Sequence, residues 1–280
     1  MDSFAVIGHP IGHTMSPYIH RRLFEYSNKS ADYITLDIAP ENLAKEFGST
    51  LRNLSGFNIT IPHKQAVISL LDRLDDTARL YGAVNCVRCG KFTEGFNTDA
   101  FGFKAAIASR GIPLAGKVLL LGSGGAARTV AYEAALADCE LTVAARSESG
   151  AVLAEEILKK TGKQVYITSY NDIDGGYDLV VNATPVGMYP KAGASPLRDD
   201  QLNGCKALFD AVYNPRETEL IKQARRHGMK IAEGMAMLVW QAIRAHEIWY
   251  GAHFTNEQAD DIINGANIEM QRIFGGRAHE

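Results

Sequence analysis

Lys117–Val130 reads KVLLLGSGGAARTV, and its interpretation decides the fold. Val118–Leu121 is an apolar run without alternation, the pattern of a parallel strand covered on both faces. Gly122, Gly124 and Gly125 follow at once, and then a stretch rich in alanine that favours a helix. Glycines at that junction let the chain turn tightly and let the backbone approach a pyrophosphate. Free N–H groups at the helix start then attract the phosphate charge. Ala127 stands at the last position of the G-x-G-x-x-G pattern, a tolerated variant. Gly122, Gly124, Gly125 and Ala126 are therefore expected to hold a dinucleotide.

Working outward, ELTVAAR is a second strand about twenty residues on, followed by a helix over 149–160. QVYITS, YDLVVNAT, KALFDAV and MKIAEG continue the strands, with another helix over 218–227. Strands alternating with helices predict an α/β fold with a doubly wound parallel sheet. At the tip of the second strand, an Asp or Glu would read the ribose hydroxyl of NAD. This chain offers Arg146 and Ser147 instead, a guanidinium fork and a hydroxyl that suit the 2′-phosphate of NADP. The alternative is a surface arginine without a role.

The first hundred residues also alternate strands and helices, but their signals are of another kind. In GFNITIPHK, residues 56–64, Phe57, Ile59 and Ile61 alternate with Asn58 and Thr60, so the strand has an apolar and a polar face. Pro62 ends it, and Lys64 follows. In PIGHTMSP, residues 10–17, Thr14 and Ser16 are two apart, so their hydroxyls share a face of an extended segment. Pro17 opens a helix there, and two hydroxyls at a helix mouth can cradle a carboxylate. Ser16 as a plain N-cap is the other reading. GFNTD, residues 95–99, puts Asp99 at a strand end, either capping the next helix or orienting Lys64 for proton exchange with a substrate hydroxyl.

Composition sets bounds on these readings. With 280 residues, 46% hydrophobic and 22% charged, the chain has the make-up of a soluble globular protein. A net charge of -3 gives no reason to expect nucleic acid or an anionic membrane as partner. The N-terminus lacks the basic and apolar regions of a signal peptide, and no apolar run approaches a membrane span, so a cytoplasmic location is expected. Cys86 and Cys89 form a C-x-x-C, but Cys139 and Cys205 make no second pair, so no metal is expected.

Over essentially its full length the chain resembles the shikimate dehydrogenase family, through PIGHTMSP, GFNITIPHK, GAVNC, GFNTD, LLGSGGAA, NATPVGM, DAVYNP and EGMAMLVWQ in the family's order. The resemblance implies reversible, NADPH-dependent reduction of 3-dehydroshikimate to shikimate, on the route to aromatic amino acids. It implies an α/β substrate-binding catalytic domain over 1–101, completed by C-terminal helices over 238–280, and a Rossmann-like NADP-binding domain over 102–237. Carried over by position, Lys64 and Asp99 are the catalytic pair. Thr14, Ser16, Thr60, Asn85, Gln241 and Tyr213 hold substrate, and Thr184, Gly234 and Met237 join the cofactor residues. The expected partner is a small-molecule substrate, and the chain is a monomer or homodimer.

Three departures from the family's pattern stand out. Thr14 replaces a serine, and Cys86 replaces a threonine. The N-R-T-x-x-R cofactor clasp reads ARSESG, which keeps Arg146 and a hydroxyl but has Gly150 in place of the second arginine. NAD as a weaker alternative cofactor follows from that loss. Two rival functions remain: a quinate/shikimate dehydrogenase using NAD, and a non-catalytic nucleotide sensor that kept the fold.

Overall fold

The computed structural model describes residues 1–12, 14–146 and 148–274. Its chain forms two compact units: Met1–Gly102 with Leu238–Glu269, and Phe103–Met237 with the chain from Met270 on.

The first unit is built on a six-stranded sheet. Its strands are β1 (Asp2–Gly8), β2 (Ala31–Asp37), β3 (Gly56–Ile59), β4 (Arg73–Leu74), β5 (Cys86–Arg88) and β6 (Glu94–Phe96), in the order β2-β1-β3-β5-β6-β4. β2, β1 and β3 run parallel, and β5 is antiparallel to both β3 and β6. Two short helices, α3 (His63–Ala66) and α4 (Asp76–Tyr81), lie on the connection from β3 to β5. The alternation of β1 splits its side chains between two covered faces. Ala5 and Ile7 join Phe57, Ile59 and Leu43 of α2 (Leu43–Ser49) in one core. Phe4 meets Phe24 of α1 (Ser16–Tyr26) and Trp249 of α9 (Gly234–Tyr250) on the other.

Two expectations for GFNITIPHK change. Asn58, paired in register with Val6 of β1, is buried and does not look out from an open polar face. Ile61, expected on the apolar face, is 70% exposed, because the strand ends at Ile59 and the chain turns at Pro62. Ser16 is not the N-cap of α1 either. Met15 occupies that position and Ser16 is already helical.

The second unit carries β7 (Lys117–Leu121), β8 (Glu140–Ala144), β9 (Val165–Thr168), β10 (Leu179–Asn182), β11 (Ala207–Asp210) and β12 (Lys230–Glu233). They are all parallel, in the order β12-β11-β10-β7-β8-β9. This is the doubly wound order, reversing between β7 and β10. Leu119, Leu121, Val180 and Leu208 pack with Leu220, Ile221 and Ala224 of α8 (Glu219–Arg226). Val118, Leu120, Val181 and Phe209, the alternate residues of these strands, are fully buried as well, which explains the unalternating apolar strands. Ligands of such sheets sit outside the carboxyl ends of the strands, at the reversal.

Candidate functional site

The first unit collects its polar side chains at one place. Lys64 lies on α3, one short turn beyond β3. The turn is held by three bonds. The His63 amide donates to the Thr60 carbonyl, Val84 N–H donates to the Lys64 carbonyl, and the buried His63 ring donates through Nε2 to the Ile38 carbonyl at 2.6 Å. A carbonyl only accepts, so that ring nitrogen carries the proton. His63 is thus an anchor that fixes where Lys64 begins.

Lys64 Nζ donates to Asp99 Oδ2 at 2.7 Å, with 25% and 12% of the two side chains exposed. The other oxygen, Asp99 Oδ1, accepts from Asn85 Nδ2 at 2.7 Å. Asp99 opens α5 (Asp99–Ala108), and Asn97 rather than Asp99 closes its first turn, accepting the Asp99 N–H at 3.0 Å. The carboxylate is left to its two side-chain partners. Asn85 Oδ1 accepts from Thr98 N–H at 2.7 Å, and the Thr98 hydroxyl reaches Gln241 Oε1 at 3.3 Å. Gln241 Nε2 donates to the Leu238 carbonyl. Lys64, Asp99, Asn85 and Gln241 are therefore joined through Thr98 in one network, although they are scattered widely along the chain. Two partly exposed ions held this way form a polar tip that a small polar molecule can reach.

The hydroxyl pair lies in the same unit. Thr14 Oγ1 accepts the Ser16 N–H at 3.2 Å and donates to Ser16 Oγ at 3.1 Å. The two hydroxyls meet across a helical turn at Met15, not along an extended segment. Thr60 N–H donates to the Ile7 carbonyl at 2.9 Å, which places Thr60 beside the end of β1. Cys86 is fully buried in β5, and burial pushes its thiol far above the usual range. Cys89 is pushed up to about 12 for the same reason. Neither thiol is a ready nucleophile.

In the second unit, Gly122 follows β7 with φ +102°, where a side chain is strained, and a Cβ there would lie 3.0 Å from Thr184 Cγ2. The glycine turn thus touches the segment that follows β10, at the reversal of strand order. Nothing lies within 4 Å of a Cβ built on Gly124 or Gly125. No side chain caps α6 (Gly125–Leu136), so the amides at its start are left to a ligand. Ala126 lies in that first turn. Ser123 and Ser149 hydroxyls, 2.6 Å apart, tie the turn to the start of α7 (Ser149–Thr161).

Thr184 is held from behind. Its N–H and hydroxyl both donate to Asn182 Oδ1, and Asn182 Nδ2 donates to the buried Asp210 at 2.9 Å. Asp210 also accepts from the Thr218 hydroxyl at 2.6 Å and from Val212 N–H. Burial raises its carboxyl pKa against the opposing pull of those bonds. Asn182, Asp210 and Thr218 were not singled out in the sequence; an aspartate inside an apolar strand was the available signal. Val212 leads into Tyr213, whose phenol is pushed up by burial. A Cβ on Gly234 would meet the Ala211 carbonyl oxygen at 2.3 Å, so only glycine fits there. Met237 is partly buried one turn into α9.

Arg146 is exposed just past β8, close enough to Tyr170 to offset the rise that burial imposes on that phenol. Ser147 lies outside the described residues. Open space beside two glycines, an uncapped helix start and an exposed guanidinium together fit a dinucleotide phosphate. Among the described residues, no group of three or more His, Cys, Asp or Glu side chains could hold a metal ion, and no helix is long and apolar enough to cross a membrane.

Residues 6–87 match the family described as "Shikimate dehydrogenase substrate binding domain". The chain is 37% identical over 257 residues to the shikimate dehydrogenase (NADP(+)) of Methanocaldococcus jannaschii, covering 88% of this chain and 90% of that protein. It is 39% identical over 283 residues to the shikimate dehydrogenase (NADP(+)) of Methanopyrus kandleri, covering 95% of each. Among solved structures, shikimate 5-dehydrogenase from Thermus thermophilus, in complex with NADP(H) and shikimate, superimposes with a TM-score of 0.87. That match has 34% identity and covers 95% of this chain and 100% of the other.

Proposed function

The chain belongs to the shikimate dehydrogenase family, and from that premise we propose that it catalyses the reversible, NADP-dependent oxidation of shikimate to 3-dehydroshikimate. The observation that carries this reading is the Lys64–Asp99 pair, 2.7 Å apart, with Asn85 on the second carboxylate oxygen. Oxidising an alcohol requires a base for the hydroxyl proton, and returning the carbonyl to alcohol requires an acid. Lys64 is assigned that proton at the substrate hydroxyl. Asp99 and Asn85 orient the lysine and offer hydrogen bonds to neighbouring hydroxyls. Thr14 and Ser16 take the substrate carboxylate, and Thr60 and Gln241 bind the rest of the substrate.

The nicotinamide cofactor, when bound, accepts or supplies the hydride. Gly122, Gly124, Gly125 and Ala126 would hold its pyrophosphate, with Thr184, Gly234 and Met237 lining its further length. Arg146 and Ser147 would take the 2′-phosphate. The first unit is thus assigned to substrate and the second to cofactor. We assign the protein to the cytoplasm, with small molecules as its ligands.

The test is Lys64→Ala. Turnover of shikimate is expected to fall by about 10²–10⁴-fold, the usual worth of a placed proton-transfer group, with the Kd for NADP unchanged. A folded Lys64→Ala protein with near-normal turnover would remove the lysine from the chemistry.

A further inference from the structure

Thr98 carries the bonds that join Asn85 to Gln241, and its own place is set by its backbone. Its N–H donates to Asn85 Oδ1 at 2.7 Å, and its carbonyl accepts the Gly102 N–H at 3.0 Å as α5 begins. The residue is only 1% exposed, so its hydroxyl is out of reach of a ligand. What that hydroxyl can do is decided by its neighbours.

Each bond in this group ends on a partner that can act in one way only. The Thr98 N–H only donates, so the Asn85 atom facing it is the oxygen, and the amide nitrogen is turned toward Asp99 and the Thr98 hydroxyl. Asn85 Nδ2 gives one hydrogen to Asp99 Oδ1 at 2.7 Å and the other to Thr98 Oγ1 at 3.0 Å. The Leu238 carbonyl only accepts, so Gln241 Nε2 faces it at 2.8 Å and Gln241 Oε1 faces Thr98 at 3.3 Å. Asn85 Oδ1, 3.2 Å from Thr98 Oγ1, is the other acceptor within reach of the Thr98 proton. Placing the proton there would leave Oγ1 and Gln241 Oε1 as two oxygens in contact with no hydrogen between them. Thr98 therefore accepts from Asn85 and donates to Gln241. The second N–H of Gln241 is the one left for a ligand.

We infer that Thr98 is a positioning residue for substrate binding: its hydroxyl holds the Gln241 amide so that the remaining N–H is presented to a substrate oxygen, and Thr98 itself does not touch the substrate. This rests on the assignment of Gln241 to the substrate. A glutamine side chain turns about three bonds, and the contact with Leu238, in its own helix, pins only one end of the amide. Thr98 pins the other end and lowers the entropy that binding must otherwise remove.

The experiment is steady-state kinetics on the full chain with shikimate and NADP, for substitutions of Thr98 alone and combined with Gln241→Ala. Thr98→Val keeps the branched shape and removes the hydroxyl. It should raise the KM for shikimate roughly three- to thirtyfold, with the KM for NADP within about twofold and kcat falling by less than about threefold. Thr98→Ser keeps both hydroxyl bonds and should hold the shikimate KM within about twofold of the parent. Gln241→Ala should raise the shikimate KM too, and adding Thr98→Val to it should change little further, since the hydroxyl acts through that amide. A larger rise in Thr98→Ser, the variant least disturbing to the fold, would assign the residue to packing through its methyl group and overturn the inference. A Thr98→Val effect that persists undiminished in the Gln241→Ala background would overturn it as well, because the hydroxyl would then act through Asn85 alone. If Gln241→Ala by itself leaves the shikimate KM unchanged, the assignment of Gln241 to the substrate is wrong and the role of Thr98 falls with it.

Discussion

Thr14 shows how a single methyl group can act in a site whose hydroxyls are already fixed. Its Oγ1 both accepts the Ser16 amide and donates to the Ser16 hydroxyl, so the side chain cannot rotate to move its methyl aside. A serine there would make the same bonds with more room for a carboxylate. Thr14→Ser is therefore expected to lower the KM for shikimate by roughly two- to tenfold while kcat stays within about twofold, the mark of a ground-state contact. Steady-state kinetics on the purified variant check this, and a change in kcat alone would show that Thr14 is not at the carboxylate. The residue scale also shows why Asn58 misleads in sequence. Its alternation with Phe57 and Ile59 is read correctly, but α1 and α9 cover that face, and nothing local to GFNIT reports it.

At the scale of elements, the β7–α6 turn was the most legible part of the chain. A strand period, three glycines and a helix-forming run all act within one short stretch, so no distant contact was needed to read them. The β8–α7 turn is a different case. A Cβ on Gly150 would lie 2.9 Å from the Cβ of Ala145, a group fixed to the backbone that cannot swing away. With α7 this close to the end of β8, a larger residue at 150 has no room. Gly150→Arg is expected to destabilise the fold by about 1–3 kcal/mol through overpacking, without strengthening NADP binding. Of the clasp's two arginines this chain keeps only Arg146. Arg146→Ala should cut the preference for NADP over NAD by roughly ten- to a hundredfold in kcat/KM, the worth of one charge-assisted hydrogen bond. Discrimination untouched by that substitution would move 2′-phosphate recognition elsewhere.

For the whole molecule, stability and function make separate demands. His20 and His246 lie buried with Nδ1 of one 3.0 Å from Nε2 of the other, and their outer ring nitrogens meet no partner. Burial holds His20 well below its usual pKa, with the neighbouring ring adding to the effect, and burial pushes His246 down to about 3. The unfolded chain therefore binds protons that the folded chain refuses between pH 6.5 and about 3, and stability must fall as the pH drops through that window. At pH 5, His246 alone accounts for about 2 kcal/mol. Urea midpoints from pH 7.5 to 5 should show the loss, and the His20→Phe/His246→Leu double variant should flatten it. An unchanged slope would assign the acid sensitivity to other groups. The central property of the protein is the oxidation of shikimate with NADP. Shikimate-dependent reduction of NADP, followed by the absorbance of the reduced nicotinamide and compared with quinate under the same conditions, tests this most directly. The predicted result is turnover with shikimate at a kcat/KM at least roughly tenfold above quinate; absence of turnover with shikimate, or a preference for quinate, would contradict it.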